Sequence, residues 1–197
     1  MSELRQRLLA EAAAFTADEG WASLTMAKLG RRVGVSRQTV YNELGSKPQL
    51  ADAIVAAELA KFLAAVEEEL SSTDDRVLGI QRAVARVLAM AEENVLMRAV
   101  LSSVHGANSD LLPLLTTQAQ PIIDSARDMI VARIKQEHPG DPIPDEELMV
   151  AVESVVRLVM SHITAPTITT PRAAEGIAWV AASLLEELPE APVQEGP

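Results

Sequence analysis

Between Leu24 and Lys47 the chain reads LTMAKLGRRVGVSRQTVYNELGSK, where capping residues and glycine stops follow one another too closely for anything but short helices. Thr25 stands at an N-cap position, where a hydroxyl accepts an otherwise unpaired N–H of the first turn. Met26, Leu29 and Val33 recur at three- and four-residue spacing, the apolar stripe of one helix face. Gly34 ends that helix, because a residue without Cβ takes the left-handed stop at no steric cost. Val35 points inward, and Ser36 caps a second helix that runs from Arg37 to about Leu44. Gly45 closes it. Ser46 caps a third helix opening at Lys47-Pro48, with proline in the first turn, where its missing N–H is no loss. Two short helices joined through a glycine turn make a helix-turn-helix. The second of them carries Arg37, Gln38, Thr39, Tyr41 and Asn42, residue types that reach base edges and phosphates in a DNA major groove.

A net charge of −11 argues at first against nucleic acid, but the charge is unevenly spread. Residues 1–50 hold seven basic and five acidic side chains, while the remainder holds ten and twenty-three. A basic face on an acidic body can bind phosphates and is repelled from DNA everywhere else, which orients docking. The chain has no cysteine, which excludes disulfides, thiolate metal sites and a cysteine nucleophile, and is compatible with a cytoplasmic protein. MSELRQRLLAEAAAF reads as a charged amphipathic helix and not a signal peptide, and no apolar run reaches a membrane-spanning length. Aromatics at 3% with abundant alanine and leucine favour an all-α fold. Motifs for a nucleophile elbow, a phosphate loop, a zinc protease or a dinucleotide fold are absent, so no enzyme is indicated. His105 and His162 lack a second ligand at metal spacing. Neither a metal nor a cofactor is implied.

The first helix is expected over 3–19, with Leu4, Leu8, Ala12 and Phe15 inward beside Leu9, and with Gly20 as its stop. Trp21 and Phe15 belong to the core of a three-helix head. A long helix follows from Lys47 to about Leu70, then a polar break at 71–75 and helices over 76–93 and 94–104, the latter ending at His105-Gly106. Residues 107–110 read as loop. A helical pattern over 111–137 is interrupted by Pro113 and Pro121, the second a kink or a restart. HPGDPIP (138–144) is loop, and helices over 146–163 and 172–188 flank a Thr/Pro-rich connector. This divides the chain into a head (1–50), a body (51–189) and a disordered tail (190–197).

The stretch from Leu24 to about Ile54, centred on GVSRQTVYNELGSKPQLADAI, closely resembles the DNA-binding domain of TetR/AcrR-type transcriptional repressors. The specific elements are a small residue, Val-Ser, Thr-hydrophobic-Tyr, then Gly-Ser-Lys and a leucine-bearing helix. The TVYNE-bearing variant also looks similar to actinobacterial repressors of lipid or alkane genes. The resemblance implies an N-terminal helix-turn-helix head on a C-terminal helical ligand-binding and dimerisation body. It implies that Arg37, Gln38 and Thr39 face the groove, Arg37 suited to guanine and Gln38 to adenine, with Tyr41 on phosphate and Asn42 on phosphate or base. Thr25 and Lys47 match positions that hold the DNA backbone, and Lys28, Arg31 and Arg32 add charge, the two arginines being equally compatible with solvated surface. Two residues depart from the pattern. Leu44 replaces the usual phenylalanine, a change of packing. Glu43 stands where a basic or aromatic residue is usual, and its carboxylate would repel a phosphate, accept from a cytosine amine, or turn outward.

The last two long helices carry broad apolar faces, among them Val152, Val156 and Ile163, then Ile177, Ala181 and Leu184. Pairing them with a second copy gives a four-helix homodimer interface, as the family implies, and places two heads on a near-palindromic double-stranded operator. Phe62, Met90, Met97, Leu101, Met129 and Val159 are candidate lining of a ligand pocket, since methionine adapts to irregular cavities. Few aromatics point to a small apolar, lipid-like effector. Its binding would release the operator by favouring a head spacing that no longer matches successive major grooves. The reading of another class is a small-molecule or lipid carrier with a vestigial head, for which Glu43 is the argument.

Overall fold

The computed structural model describes residues 2–102, 111–137 and 143–187. The expected helix end at His105, the loop at 107–110, most of the loop at 138–144 and the tail at 190–197 lie outside the described residues. Only helices occur among the described residues. They are α1 (Glu3–Glu19), a 3-10 turn (Trp21–Ser23), α2 (Met26–Val33), α3 (Arg37–Leu44), α4 (Lys47–Leu70), α5 (Arg76–Glu93), α6 (Val95–Ser102), α7 (Leu112–Leu115), α8 (Gln120–Glu137), α9 (Asp145–Thr164) and α10 (Thr170–Glu187). The expected 111–137 helix is thus two pieces. Pro121 lies in the first turn of α8, so the chain restarts there. No described helix is long and apolar enough to cross a membrane.

Two compact units form: Met1–Phe62 with Met90–Ala119, and Leu63–Ala89 with Gln120–Pro197. The first contains the 1–50 head and adds the start of α4 together with α6 and α7. Its core joins Leu8, Leu9, Ala12 and Phe15 of α1 to Leu29 of α2, Val40 and Leu44 of α3, and Leu50 and Ile54 of α4. Val100 of α6 and Leu111 enter the same core. Leu44, at the position where phenylalanine is usual, is buried like its neighbours.

Cap chemistry explains why the short helices stand. Thr25 and Ser36 accept the N–H groups of Lys28 and Thr39 at 3.2 and 3.0 Å. At the turn, Gly34 has φ +80°, and the N–H groups of Gly34 and Val35 both return to the carbonyl of Gly30. Gly30 itself lies close against the turn and α3. A Cβ there would lie 2.8 Å from the Val35 carbonyl oxygen and 3.3 Å from Val40 Cγ2. The crossing of α2 and α3 therefore needs a residue with no side chain at 30.

In the second unit α8 packs on α9 and α9 on α10. Val84 and Leu88 of α5 meet Ala173, Ala174 and Ile177 of α10, with Val155, Val159 and Ile163 of α9 against them. Arg127 of α8 donates to Glu153 of α9 at 3.1 Å, and Glu153 also accepts from Arg157 at 2.7 Å. Those two guanidiniums, Arg157 first, hold the Glu153 carboxyl below its ordinary range.

Gly30→Ala is expected to destabilise the first unit by about 1–3 kcal/mol, the usual range for overpacking against unyielding backbone. Urea denaturation measures it, and an unchanged midpoint would show that α2 and α3 can separate without loss.

Candidate nucleic-acid interface

The second helix of the motif sends Val40 and Leu44 into the core and leaves Arg37, Gln38, Tyr41 and Asn42 exposed. Spacing decides this: residues four apart stack on one face of a helix. The exposed four form two such rows. Arg37 Nη2 donates to the Tyr41 hydroxyl at 3.3 Å, and its guanidinium lies 5.2 Å from the centre of the Tyr41 ring. Gln38 Nε2 donates to Asn42 Oδ1 at 2.9 Å. Each row is held straight before any ligand arrives. Arg37 keeps a forked set of donors for a guanine edge, and the Gln38–Asn42 pair offers both a carbonyl and N–H donors, the combination adenine requires. Thr39 is half-buried, and its hydroxyl is shared with Ser36 at 2.9 Å, so it stands beside the face more than on it.

The cations around this face are largely committed within the protein. Arg32 reaches Glu11 at 2.8 Å and Glu19 at 2.7 Å, and its guanidinium lies 4.5 Å from the Phe15 ring. Its pKa is raised, by the Glu11 hydrogen bond first and Glu19 after it. Lys28 stands 3.8 Å from Glu19 and over the same ring. Lys47 Nζ donates to the Trp21 carbonyl at 2.8 Å and lies over the Trp21 indole, closing the 3-10 turn. Lys28 and Lys47, matched by resemblance to DNA-contacting positions, thus both have protein partners. Arg7 donates to the Val33 carbonyl at 3.4 Å, and Arg5 to the Glu43 carbonyl. Arg31 is exposed, with no ion pair among the described residues. Of the two arginines treated alike from sequence, Arg31 is the surface cation and Arg32 a clamp between helices.

Glu43 turns away from the exposed rows. Its carboxylate accepts from Ser2 Oγ at 3.0 Å, and Ser2 in turn caps α1 by accepting from the Arg5 N–H at 3.1 Å. The residue therefore joins the end of α3 to the start of α1. Sequence spacing could not show this, because the partner lies 41 positions away.

The remaining sequence-derived residues fall on both compact units. Phe62, Met90, Met97 and Leu101 belong to the first, Met129 and Val159 to the second. Val152, Val156, Ile177 and Ala181, read as a subunit interface, are 7, 8, 3 and 5% exposed within a single chain, while Ile163 and Leu184 are half-buried. These four are taken up by the chain's own helix packing, Ile177 against Val84 and Leu88 of α5. The apolar surface left on α9 and α10 is Met149, Val150 and, most of all, Trp179, 71% exposed. His162 Nδ1 lies 2.9 Å from the Leu158 carbonyl in its own helix, and no metal-ligand cluster occurs among the described residues.

A capped helix-turn-helix with a prearranged polar face, in a chain whose described elements are all helices, defines a DNA-binding regulator. Comparison with known proteins gives the family. The model for bacterial regulatory proteins of the tetR family matches residues 8–54, and that for the bacterial tetracyclin repressor C-terminal domain matches residues 75–183, more than half of the chain. The chain belongs to the TetR family of transcriptional regulators, which are DNA-binding proteins and not enzymes. The HTH-type transcriptional regulator AlkX of Mycobacterium tuberculosis is 31% identical over 150 residues, covering 74% of this chain and 68% of that protein. Among solved structures, the TetR family repressor AlkX from Dietzia sp., implicated in biodegradation of n-alkanes, matches with a TM-score of 0.74 at 22% identity, over 93% of this chain and 96% of that one. RolR in complex with resorcinol matches with a TM-score of 0.61 at 17% identity, over 95% and 96%.

Substituting Glu43 tests its placement. Glu43→Ala should lower stability by about 0.5–1.5 kcal/mol, the net worth of a hydrogen bond, and Glu43→Gln, which can still accept from Ser2, by less. Neither should alter which bases are preferred in a selection from random duplexes. A changed preference at any position would put this carboxylate in the groove.

Proposed function

We propose that the protein represses transcription in the cytoplasm by occupying a near-palindromic operator as a homodimer, and that an unbranched aliphatic molecule lowers its operator affinity. The observation that carries the DNA reading is the pair of braced rows, Arg37–Tyr41 and Gln38–Asn42, on a helix anchored to the core by Val40 and Leu44. Exposed side chains held in one geometry lose little conformational freedom on binding, the arrangement expected of a reading surface. Arg31 and the first-turn N–H groups of α2 beside Thr25 suit neighbouring phosphates. The effector class follows from scarce aromatics and from the likeness to the two AlkX proteins.

Trp179 supports the homodimer. It lies on α10 one turn beyond Gly176, where an added Cβ would meet nothing within 4 Å, and one turn before Ser183. An exposed indole beside a small residue suits the isologous contact of two identical helices, a knob on each copy facing a hollow on the other. Two heads so joined would read major grooves about 34 Å apart.

A mobility-shift titration against the DNA upstream of this protein's own gene tests the proposal, with random DNA as control. Tight, salt-sensitive binding is expected. Arg37→Ala should weaken it by about 1–3 kcal/mol on the preferred site, the worth of one bidentate base contact, and far less on random DNA. Trp179→Glu should give a monomer by sedimentation and lose the two-headed complex. A long-chain n-alkane, or the matching fatty acid, should dissociate the wild-type complex. No binding at low salt would overturn the regulator reading in favour of a carrier, for which Glu43, turned toward α1, offers no support.

A further inference from the structure

The first unit contains a polar joint that DNA contact does not use. Helices α5 and α6 are separated by one residue, Asn94. The helical hydrogen bonds continue on either side: the Asn94 N–H returns to Met90 O at 2.9 Å, and the Arg98 N–H to Asn94 O at 3.0 Å. What interrupts the helix is the Asn94 side chain. Its Oδ1 accepts the Met97 N–H at 2.9 Å, capping α6, and its Nδ2 donates to Glu58 Oε2 of α4 at 2.8 Å. The other Glu58 oxygen accepts from Lys61 at 2.7 Å.

Each helix gripped by this pair bears on the head. Only two residues separate α4 from the end of α3, and its Leu50, Ala51 and Ile54 lie in the head's core. α6 sends Val100, with Leu96 beside it, into that core and packs on α1. α1 in turn holds α2 through Arg7 and Glu11 and α3 through Ser2 and Arg5. The Glu58 side chain is only 17% exposed. Withdrawing a carboxylate this far from water carries a desolvation penalty that an apolar contact between α4 and α6 would not, and the bond it makes is directional, so it fits one register of α6 on α4.

We propose that Glu58 and Asn94 are positioning residues for operator binding: their hydrogen bond latches α6 to α4 and holds the head in its DNA-binding arrangement. The proposal rests on the reading of the protein as an operator-binding regulator. With the latch closed, α4, α6 and α1 form one frame behind α3. With it open, α6 can pivot at the single residue that joins it to α5, and the frame loses its fixed register. A state of lower operator affinity then becomes populated at the expense of the other.

The test separates the bond from the cap. Asn94→Asp keeps an oxygen to cap α6 but sets an acceptor, and a like charge, against Glu58. Glu58→Gln keeps an acceptor for Asn94. In the double variant the amide introduced on α4 can donate to the carboxylate introduced at the joint, which rebuilds the bond with donor and acceptor exchanged. Full-length proteins are titrated against a duplex selected by the wild type from random sequence, well below their melting temperatures. Asn94→Asp should weaken operator binding by roughly tenfold, the order of one charge-assisted hydrogen bond. Glu58→Gln alone should stay near wild type, and the double variant should recover to within about threefold, its two changes being strongly non-additive. Wild-type affinity in Asn94→Asp would overturn the latch. So would a loss that the double variant does not recover, since the bond would then not be the cause. Failure of the wild type to select any duplex would instead sink the operator reading itself, and the latch with it.

Discussion

Short helices leave their last carbonyls without partners, and in this head the cations of neighbouring segments supply them. Arg7 reaches the end of α2, Arg5 the end of α3, and Lys47 the turn at Trp21. Arg32 spans Glu11 and Glu19 of α1 over the Phe15 ring, and Lys28 stands by the same Glu19. Helix α1 is thus more than apolar cover for the reading motif. It grips both motif helices by charge while its leucines and Phe15 fill the core between them. That grip adds to the shared core of Leu29, Val40 and Leu44 and to the close approach at Gly30 in fixing how two eight-residue helices cross.

The same commitment of charge shapes the surface that meets DNA. Seven basic side chains in residues 1–50 suggest a broad positive patch. The structure commits five of them to protein partners and leaves Arg31 and Arg37 outward, Arg37 braced on Tyr41. Recognition then depends on the placement of a few groups, and placement depends on the frame behind α3. That is why a latch between α4 and α6, remote from the groove, bears on affinity.

What could be read from the sequence was what is local. Caps at Thr25 and Ser36, the left-handed stop at Gly34, the inward Val40 and Leu44 and an interruption at Pro121 all follow from neighbours within a few positions, and the structure shows each of them, the last as a restart. Tertiary partners were not legible. Gly30 looks like an ordinary weak point in a helix until α3 crosses it. Arg31 and Arg32 are adjacent and equivalent in sequence, yet only Arg32 faces α1. Glu43 was open in three directions because Ser2 is far away along the chain. On α9 and α10, hydrophobic spacing found an apolar face correctly but could not say whether the chain's own helices or a second copy covers it. Val152, Val156, Ile177 and Ala181 are covered within the chain, and Trp179 is left outside.

The salt dependence of operator affinity tests this account most directly. Each phosphate neutralised by a protein cation adds about −0.9 to the slope of log K against log salt concentration. One outward cation per head on phosphate, Arg31, doubled in a homodimer, gives a slope of about −2, with Arg37 on a base edge adding little. A slope near that value, flattened further by Arg31→Ala, would show that the internal pairs survive on DNA. A slope steeper than about −8 would mean that the clamped cations leave their partners for phosphates, and that the head is not held as described.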